Sequence, residues 1–276
     1  MKNRYPIYVI SKGRPDRCLT ARELKLLSAE FFLVVEPQEF DDYQRLWGDS
    51  CVILKTPFSN LGNGSVDVRN FVLDHSRANG DVRHWILDDN IEGFHRLNRN
   101  EKFKVSDTTI FRCCEDFTER FENVAISGMN YHSFCKATDS VPPFYLNTRV
   151  YSCILISNDI EFSWRGKFNE DTDLCLRVLK SGLCTILFNA FLCGKVTTMR
   201  MAGGNTKEVY GDTNNRLEFA ESLRDQHPEC VKIVKKFGRW HHSVDYSIFN
   251  SNNLIYKGHE FADKINNYGM KLTRGD

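Results

Sequence analysis

WILDDNIEGF, residues 85–94, is an apolar run cut off by three oxygen-bearing side chains. Trp85, Ile86 and Leu87 suit a buried strand, Asp88, Asp89 and Asn90 do not, and Ile91 restores the apolar character. Two readings meet this pattern. Asp and Asn are turn formers, because their side chains hydrogen-bond to nearby backbone. Alternatively, the three supply hard oxygen ligands suited to Mg²⁺ or Mn²⁺ rather than zinc. A divalent cation would also relieve the repulsion between adjacent carboxylates. The triplet alone does not choose between these.

Upstream, strand-like and helix-like segments alternate. YPIYVIS (5–11), FFLVVEP (31–37) and CVILKTP (51–57) read as strands. GRPDRCLTARELKLL follows the first with helical periodicity after a Gly-Arg-Pro turn. SVDVRNFVLDHSRANG (65–80) places Val68, Phe71, Val72 and His75 on one helical face, with Gly80 as a stop signal. RHWILDDN is then a fourth strand. Such alternation implies an α/β fold with a largely parallel sheet, in which ligands bind beyond the carboxyl ends of the strands. Asp88-Asp89-Asn90 lies at such an end.

Downstream the pattern loosens. ENVAISGMNY (122–131), VYSCILISNDI (150–160) and CTILFNAFLCGKV (184–196) read as strands, and NEDTDLCLRVLKSG (169–182) as a compact helix with an acidic first turn. From about residue 203 the sequence turns polar and helical, which predicts a catalytic domain over 1–202 and a smaller helical C-terminal lobe over 203–276.

Composition sets outer limits. The chain has 276 residues, 41% hydrophobic and 26% charged, with a net charge of +1, as expected of a soluble globular protein. No apolar stretch reaches membrane-spanning length, and the N-terminus does not read as a signal peptide, so no membrane partner and a cytoplasmic location are expected. The ten cysteines lie mostly in apolar runs without a Cys-x-x-Cys, which favours reduced thiols. A near-zero net charge does not announce a nucleic-acid binder, yet KIVKKFGRW (232–240) concentrates four cations without an acid.

Three further segments carry possible chemistry. Asn169-Glu170-Asp171-x-Asp173 is either an ordinary capped helix start or the source of a general base. SNLGNGSVDVRN (59–70) is either a plain loop and helix or an amide cradle for a diphosphate, with Arg69 one turn in. GRWHHSVDYSIF (238–249) holds adjacent His241 and His242, structural or metal-ligating. MRMAGGNT (199–206) offers a glycine hinge for a lid.

The order of these segments resembles the GT-A glycosyltransferases. More narrowly, ISKGR, GNGSVDVRN, WILDDNI, FNEDTDLCLRVLKSG, GGNT and GRWHHSVDYSIF together resemble the phage TET/JBP-associated glycosyltransferases, thought to modify 5-hydroxymethylpyrimidines in DNA. The resemblance implies a GT-A-like Rossmann-type sheet and a UDP-sugar donor. It implies Mn²⁺ or Mg²⁺ at Asp88, Asp89 and Asn90, with His242 (or His241) completing the shell. Ser11, Lys12, Arg14, Glu36, Arg69, Asp88 and Lys195 would contact the nucleotide, with Arg200 beside Lys195 at the lid. Asp171, or Glu170, would be the base in an inverting transfer to the hydroxymethyl group of 5-hydroxymethylcytosine or a related base in DNA. The third position of the strand-end motif is Asn90 where Asp is usual, which shifts weight to Asp89 as metal ligand. Rival readings are a saccharide or protein acceptor, a catalytically inactive binding module, and a nucleotidyltransferase.

Overall fold

The computed structural model describes residues 4–136, 138, 140–196, 203–204, 216–236, 238–258, 265, 269–271 and 273. Strands β1 (Ile7–Ile10), β2 (Phe32–Val35), β3 (Val52–Lys55) and β4 (Arg83–Asp88) alternate with helices α1 (Leu19–Leu26), α2 (Phe40–Trp47) and α3 (Val66–Ala78). Then come β5 (Ile91–Asn98), β6 (Glu101–Lys104), α4 (Thr109–Thr118), β7 (Val124–Tyr131), β8 (Phe144–Leu146), β9 (Cys153–Ser157), α5 (Glu170–Lys180) and β10 (Cys184–Lys195). A C-terminal lobe adds α6 (Arg216–Gln226) and a hairpin of β11 (Val231–Lys236) and β12 (Arg239–Val244).

Ten strands form one mixed sheet in the order β3-β2-β1-β4-β9-β7-β10-β5-β6, with β8 beside β10. The first four run parallel, as the alternating sequence implies, and β9 enters antiparallel between β4 and β7. Period-two alternation sends Ile7, Val9, Leu33, Trp85 and Leu87 to one face, where α1 and α4 add Leu24 and Phe111. Tyr8, Ile10, Val34 and Ile86 go to the other face, where α3 and α5 add Val72, Leu174 and Val178. Burial on both faces explains why these strands read as continuous apolar runs. A third cluster joins Leu176 and Leu179 of α5 to Leu223, Val231 and Phe249 of the lobe.

The lobe differs from expectation. Among the described residues, the segment read as helical past residue 203 holds one α-helix and a β-hairpin. Val231, Ile233 and Lys235 pair across the hairpin with Val244, His242 and Trp240. Its strands are short and cation-rich, so composition hid their two-residue period. Eight of the ten cysteines are buried, and all ten are free thiols.

Candidate active site

Strand register assembles the site. β1 pairs with β4 so that Ile10 faces Asp88, and one more step sets Ser11 against Asp89. The Ser11 hydroxyl donates to Asp89 Oδ2 at 2.8 Å, and the Arg14 guanidinium pairs with Asp89 Oδ1. β9 runs antiparallel to β4, with Cys153 opposite Leu87. Ser152 therefore stands opposite Asp88 and donates to its Oδ2 at 2.7 Å. β1 and β2 pair Ile10 with Val34, so two steps on Lys12 meets Glu36, at 3.1 Å.

Asp88 is the most heavily compensated group. Lys195 Nζ lies 2.7 Å from Oδ2 and an Arg69 nitrogen 3.0 Å from Oδ1. Burial opposes its ionisation, but these two cations, with hydrogen bonds from Lys195 and Ser152, hold the carboxyl well below the usual range. Asp89 goes the other way: burial raises it, and the like charge of Asp88 adds to that, against the pull of Arg14 and Ser11. Glu170 is likewise raised by burial, with Asp171 adding to that, against Arg69 at 3.4 Å and a 2.6 Å bond from Ser65.

A cavity of about 260 Å³ opens over these groups, lined by Ser11, Lys12, Arg14, Glu36, Asp88, Asp89, Asn90 and Glu170 and by the glycine loop 61–65. Its position beyond the carboxyl ends of β1, β2 and β4 is where an α/β sheet binds ligands. Arg69 and Lys195 do not line it. Both are paired with Asp88, at 3.0 Å and 2.7 Å. Arg69 also lies over the Trp164 ring at 4.7 Å.

Of the glycine hinge, Gly204 lines the cavity. The Gly204 amide donates to the Lys12 carbonyl at 2.8 Å and Arg14 Nη2 to the Gly203 carbonyl at 3.0 Å. Gly203 has φ +86°, and a Cβ there would meet the Gly13 carbonyl oxygen at 2.5 Å. Only glycine suits that approach. Arg200 and most of the flanking segment lie outside the described residues.

At the start of α5 the chain turns through Asn169, in the left-handed region at φ 55°. Its amide does not cap the helix but reaches the Phe219 carbonyl of the lobe at 2.9 Å. Glu170 then lines the cavity, while Asp171, about 100° further round the helix, does not. Asp171 Oδ1 accepts from the amide and hydroxyl of Thr172. Asp173, 1% exposed, is structural: it receives Arg165, Arg177 and, at 2.8 Å, His227 of the lobe.

His242 lies on β12, paired with Ile233 of β11. Burial lowers its pKa to about 4, with the charges of Arg149 and His241 acting in the same sense and Asp171 opposing. Among the described residues no three His, Cys, Asp or Glu side chains converge as a ligand set. The strand-end motif itself suits a dication. Asn90 Oδ1 is buried without a hydrogen-bond partner among the described residues. The cations near the cavity are already engaged by its acids: Arg69 and Lys195 by Asp88, Arg14 by Asp89 and Lys12 by Glu36. An entering diphosphate would need added positive charge there.

The model of the TET-associated glycosyltransferases matches residues 5–204, nearly three quarters of the sequence. The chain belongs to that family. The match covers the sheet, the strand-end motif, the start of α5 and the glycine hinge, and stops before the lobe. No protein of curated function matches. Among solved structures, a fragment of Staphylococcus aureus TarS is similar with TM-score 0.42 at 10% identity over 82% of this chain and 66% of that one. The same fragment in complex with UDP gives 0.42 at 11%. A mannose-1-phosphate geranyltransferase from Thermus thermophilus gives 0.31 at 12%, over 79% of this chain and 63% of that one. The chain thus spans slightly under two thirds of the TarS fragment. Within this glycosyltransferase family, sequence reasoning missed Tyr43, Ser152 and Tyr131. Tyr43 holds Ser11 at 2.7 Å, and Tyr131 holds Ser152 at 2.6 Å. No local pattern marks them, because each reaches the site through strand pairing or packing.

Proposed function

We propose that this glycosyltransferase moves a sugar from a UDP-sugar to the hydroxymethyl group of 5-hydroxymethylcytosine, or another 5-hydroxymethylpyrimidine, in DNA, with inversion. The observation that carries the proposal is the division of labour between Glu170 and Asp171. Glu170 lines the cavity and is held by Ser65 and Arg69, whereas Asp171 does not line it and keeps Oδ2 without a hydrogen bond among the described residues. In this reading the acceptor hydroxyl oxygen bonds to the anomeric carbon. The bond from that carbon to the β-phosphate oxygen breaks, UDP leaves with the electron pair, and the hydroxyl proton passes to Asp171. Attack from the face opposite the leaving group inverts the centre.

Lys12, Arg14 and the amides of the 61–65 loop surround the diphosphate, and Glu36 accepts from the nucleoside. A Mn²⁺ or Mg²⁺ ion held by Asn90 with Asp88 or Asp89 would offset charge on the departing diphosphate. The family's association with TET-type oxidation supports a hydroxymethylated base as acceptor.

UDP release with a panel of UDP-sugars tests this reading, using DNA with and without 5-hydroxymethylcytosine. Release that requires the hydroxymethyl group and disappears in Asp171→Asn, while that variant still binds UDP, is the expected result. Release indifferent to DNA would move the acceptor to a saccharide or protein. UDP binding that fails in the wild type would refute the donor site.

A further inference from the structure

We infer that Phe168 and Phe219 form a platform for the sugar ring of the donor, so that the C-terminal lobe supplies one wall of the sugar subsite. The inference rests on the reading of the cavity as a UDP-sugar site with the nucleoside at Glu36, and adds what holds the sugar.

Direct contacts place the pair in the cavity wall. The rings of Phe168 and Phe219 stack with centroids 3.9 Å apart and planes 25° apart. Both residues line the cavity, and both are only partly buried. Phe168 lies two residues before α5, whereas Phe219 comes from α6 of the lobe. Two bonds near opposite ends of α6 fix it there. The Asn169 side-chain amide donates to the Phe219 carbonyl at 2.9 Å. Just past the end of α6, His227 meets Asp173 of α5 at 2.8 Å, each side chain 1% exposed. The platform is thus shared between two parts of the chain and held rigidly by both. Phenyl surface left open inside a polar cavity is what a ligand site presents.

Position and chemistry select the sugar as occupant. Glu36 follows β2 and Asp88 ends β4, with β1 between them. The two strand ends are therefore two strand spacings, about 10 Å, apart. Glu170, two residues after Phe168, belongs to the Asp88 end: Arg69 lies 3.4 Å from Glu170 and 3.0 Å from Asp88. A sugar joined through a diphosphate to a nucleoside at Glu36 arrives at that end. A pyranose carries C–H bonds on its faces and hydroxyls around its rim. The electron-rich face of a phenyl ring attracts such C–H bonds. The Glu170 carboxylate, in the same wall, accepts from hydroxyls.

Calorimetry on the full chain tests the platform by comparing UDP with UDP-glucose, UDP-galactose and UDP-N-acetylglucosamine. In the wild type at least one of these sugars is expected to tighten binding over UDP. Phe219→Leu keeps apolar volume but removes the ring. It should erase about two- to tenfold of that gain while UDP affinity holds. Phe219→Tyr keeps the ring and should keep the gain. Phe168→Leu, which leaves α6 intact, repeats the test if Phe219→Leu lowers the melting temperature. The platform is overturned, with the donor site intact, if both leucine variants bind the UDP-sugars as the wild type does, or if no sugar improves on UDP. A loss of UDP affinity equal to the loss of UDP-sugar affinity would put the nucleobase, not the sugar, on the pair. Wild type that binds neither UDP nor any UDP-sugar would overturn the donor reading itself.

Discussion

Replacing Arg69 by methionine separates two roles for this side chain. The sequence suggests a diphosphate ligand, whereas the structure commits the guanidinium to Asp88 and Glu170, with the side chain 4% exposed. Deleting one partner of a buried ion pair costs about 3–5 kcal/mol. Asp88 retains Lys195 and Ser152, so the loss falls chiefly on Glu170 and lies near the lower end, about 3 kcal/mol. For a chain of this size that lowers Tm by about 6–12 °C in weak alkali. The pH dependence fixes the cause. Burial already raises Glu170, and Arg69 is the cation that opposes the rise; without it the folded pKa climbs further. A carboxyl that holds its proton more firmly when folded makes stability increase as pH falls through the folded pKa. The deficit should therefore shrink in mild acid and vanish when Glu170→Gln is combined with Arg69→Met. Calorimetric melting of both variants over a range of pH measures this, alongside UDP affinity. A deficit that stays constant with pH and is not rescued by Glu170→Gln would refute the counter-ion role. UDP affinity still lost in the stable double variant would return Arg69 to the diphosphate.

Gly203→Ala should cost about 1–3 kcal/mol in urea unfolding and weaken UDP binding. The φ of +86° and the 2.5 Å approach to the Gly13 carbonyl leave no room for a Cβ. An unchanged urea midpoint would show that the hinge does not need this contact. Burial would raise Glu119, but hydrogen bonds and charge from Lys257 and Arg83 lower it to about 2. Its contribution to stability is thus full above its unfolded pKa of about 4.3 and is lost as pH falls through the folded value. Glu119→Gln should accordingly flatten the acid limb of the unfolding curve, and a variant curve parallel to the wild type would overturn that assignment. Adding Mn²⁺ should tighten UDP binding, and Asn90→Ala should reduce that gain more than it reduces metal-free binding. Titrations with and without chelator decide this, and UDP affinity indifferent to Mn²⁺ would remove the ion from the site.

Much of the fold was legible because its central strands are buried on both sides. RHWILD, YPIYVIS and FFLVVEP stand out as apolar runs, and Gly80, with φ +74°, ends α3 where the sequence stops being periodic. The hairpin was not legible. Lys232, Lys235 and Lys236 dilute a strand whose inward face is only Val231 and Ile233 near its base. β9 was visible as a strand but not as an antiparallel one, since direction leaves no mark on a short run of Cys, Ile and Leu.

The sequence by itself determined that an acidic triplet closes a buried strand, that a second acidic pair opens a helix, and that a glycine loop and a glycine hinge accompany them. Those are local properties, set by residue type and spacing. Only the tertiary structure decided which carboxylate meets which cation. The β1–β4 register brings Ser11 to Asp89, the antiparallel β9 brings Ser152 to Asp88, and the far end of β10 returns Lys195 to the same carboxylate. Those pairings committed Arg69 and Lys195 to Asp88. Long-range register and packing are set by the whole core at once, and a charge has no partner until that core has formed.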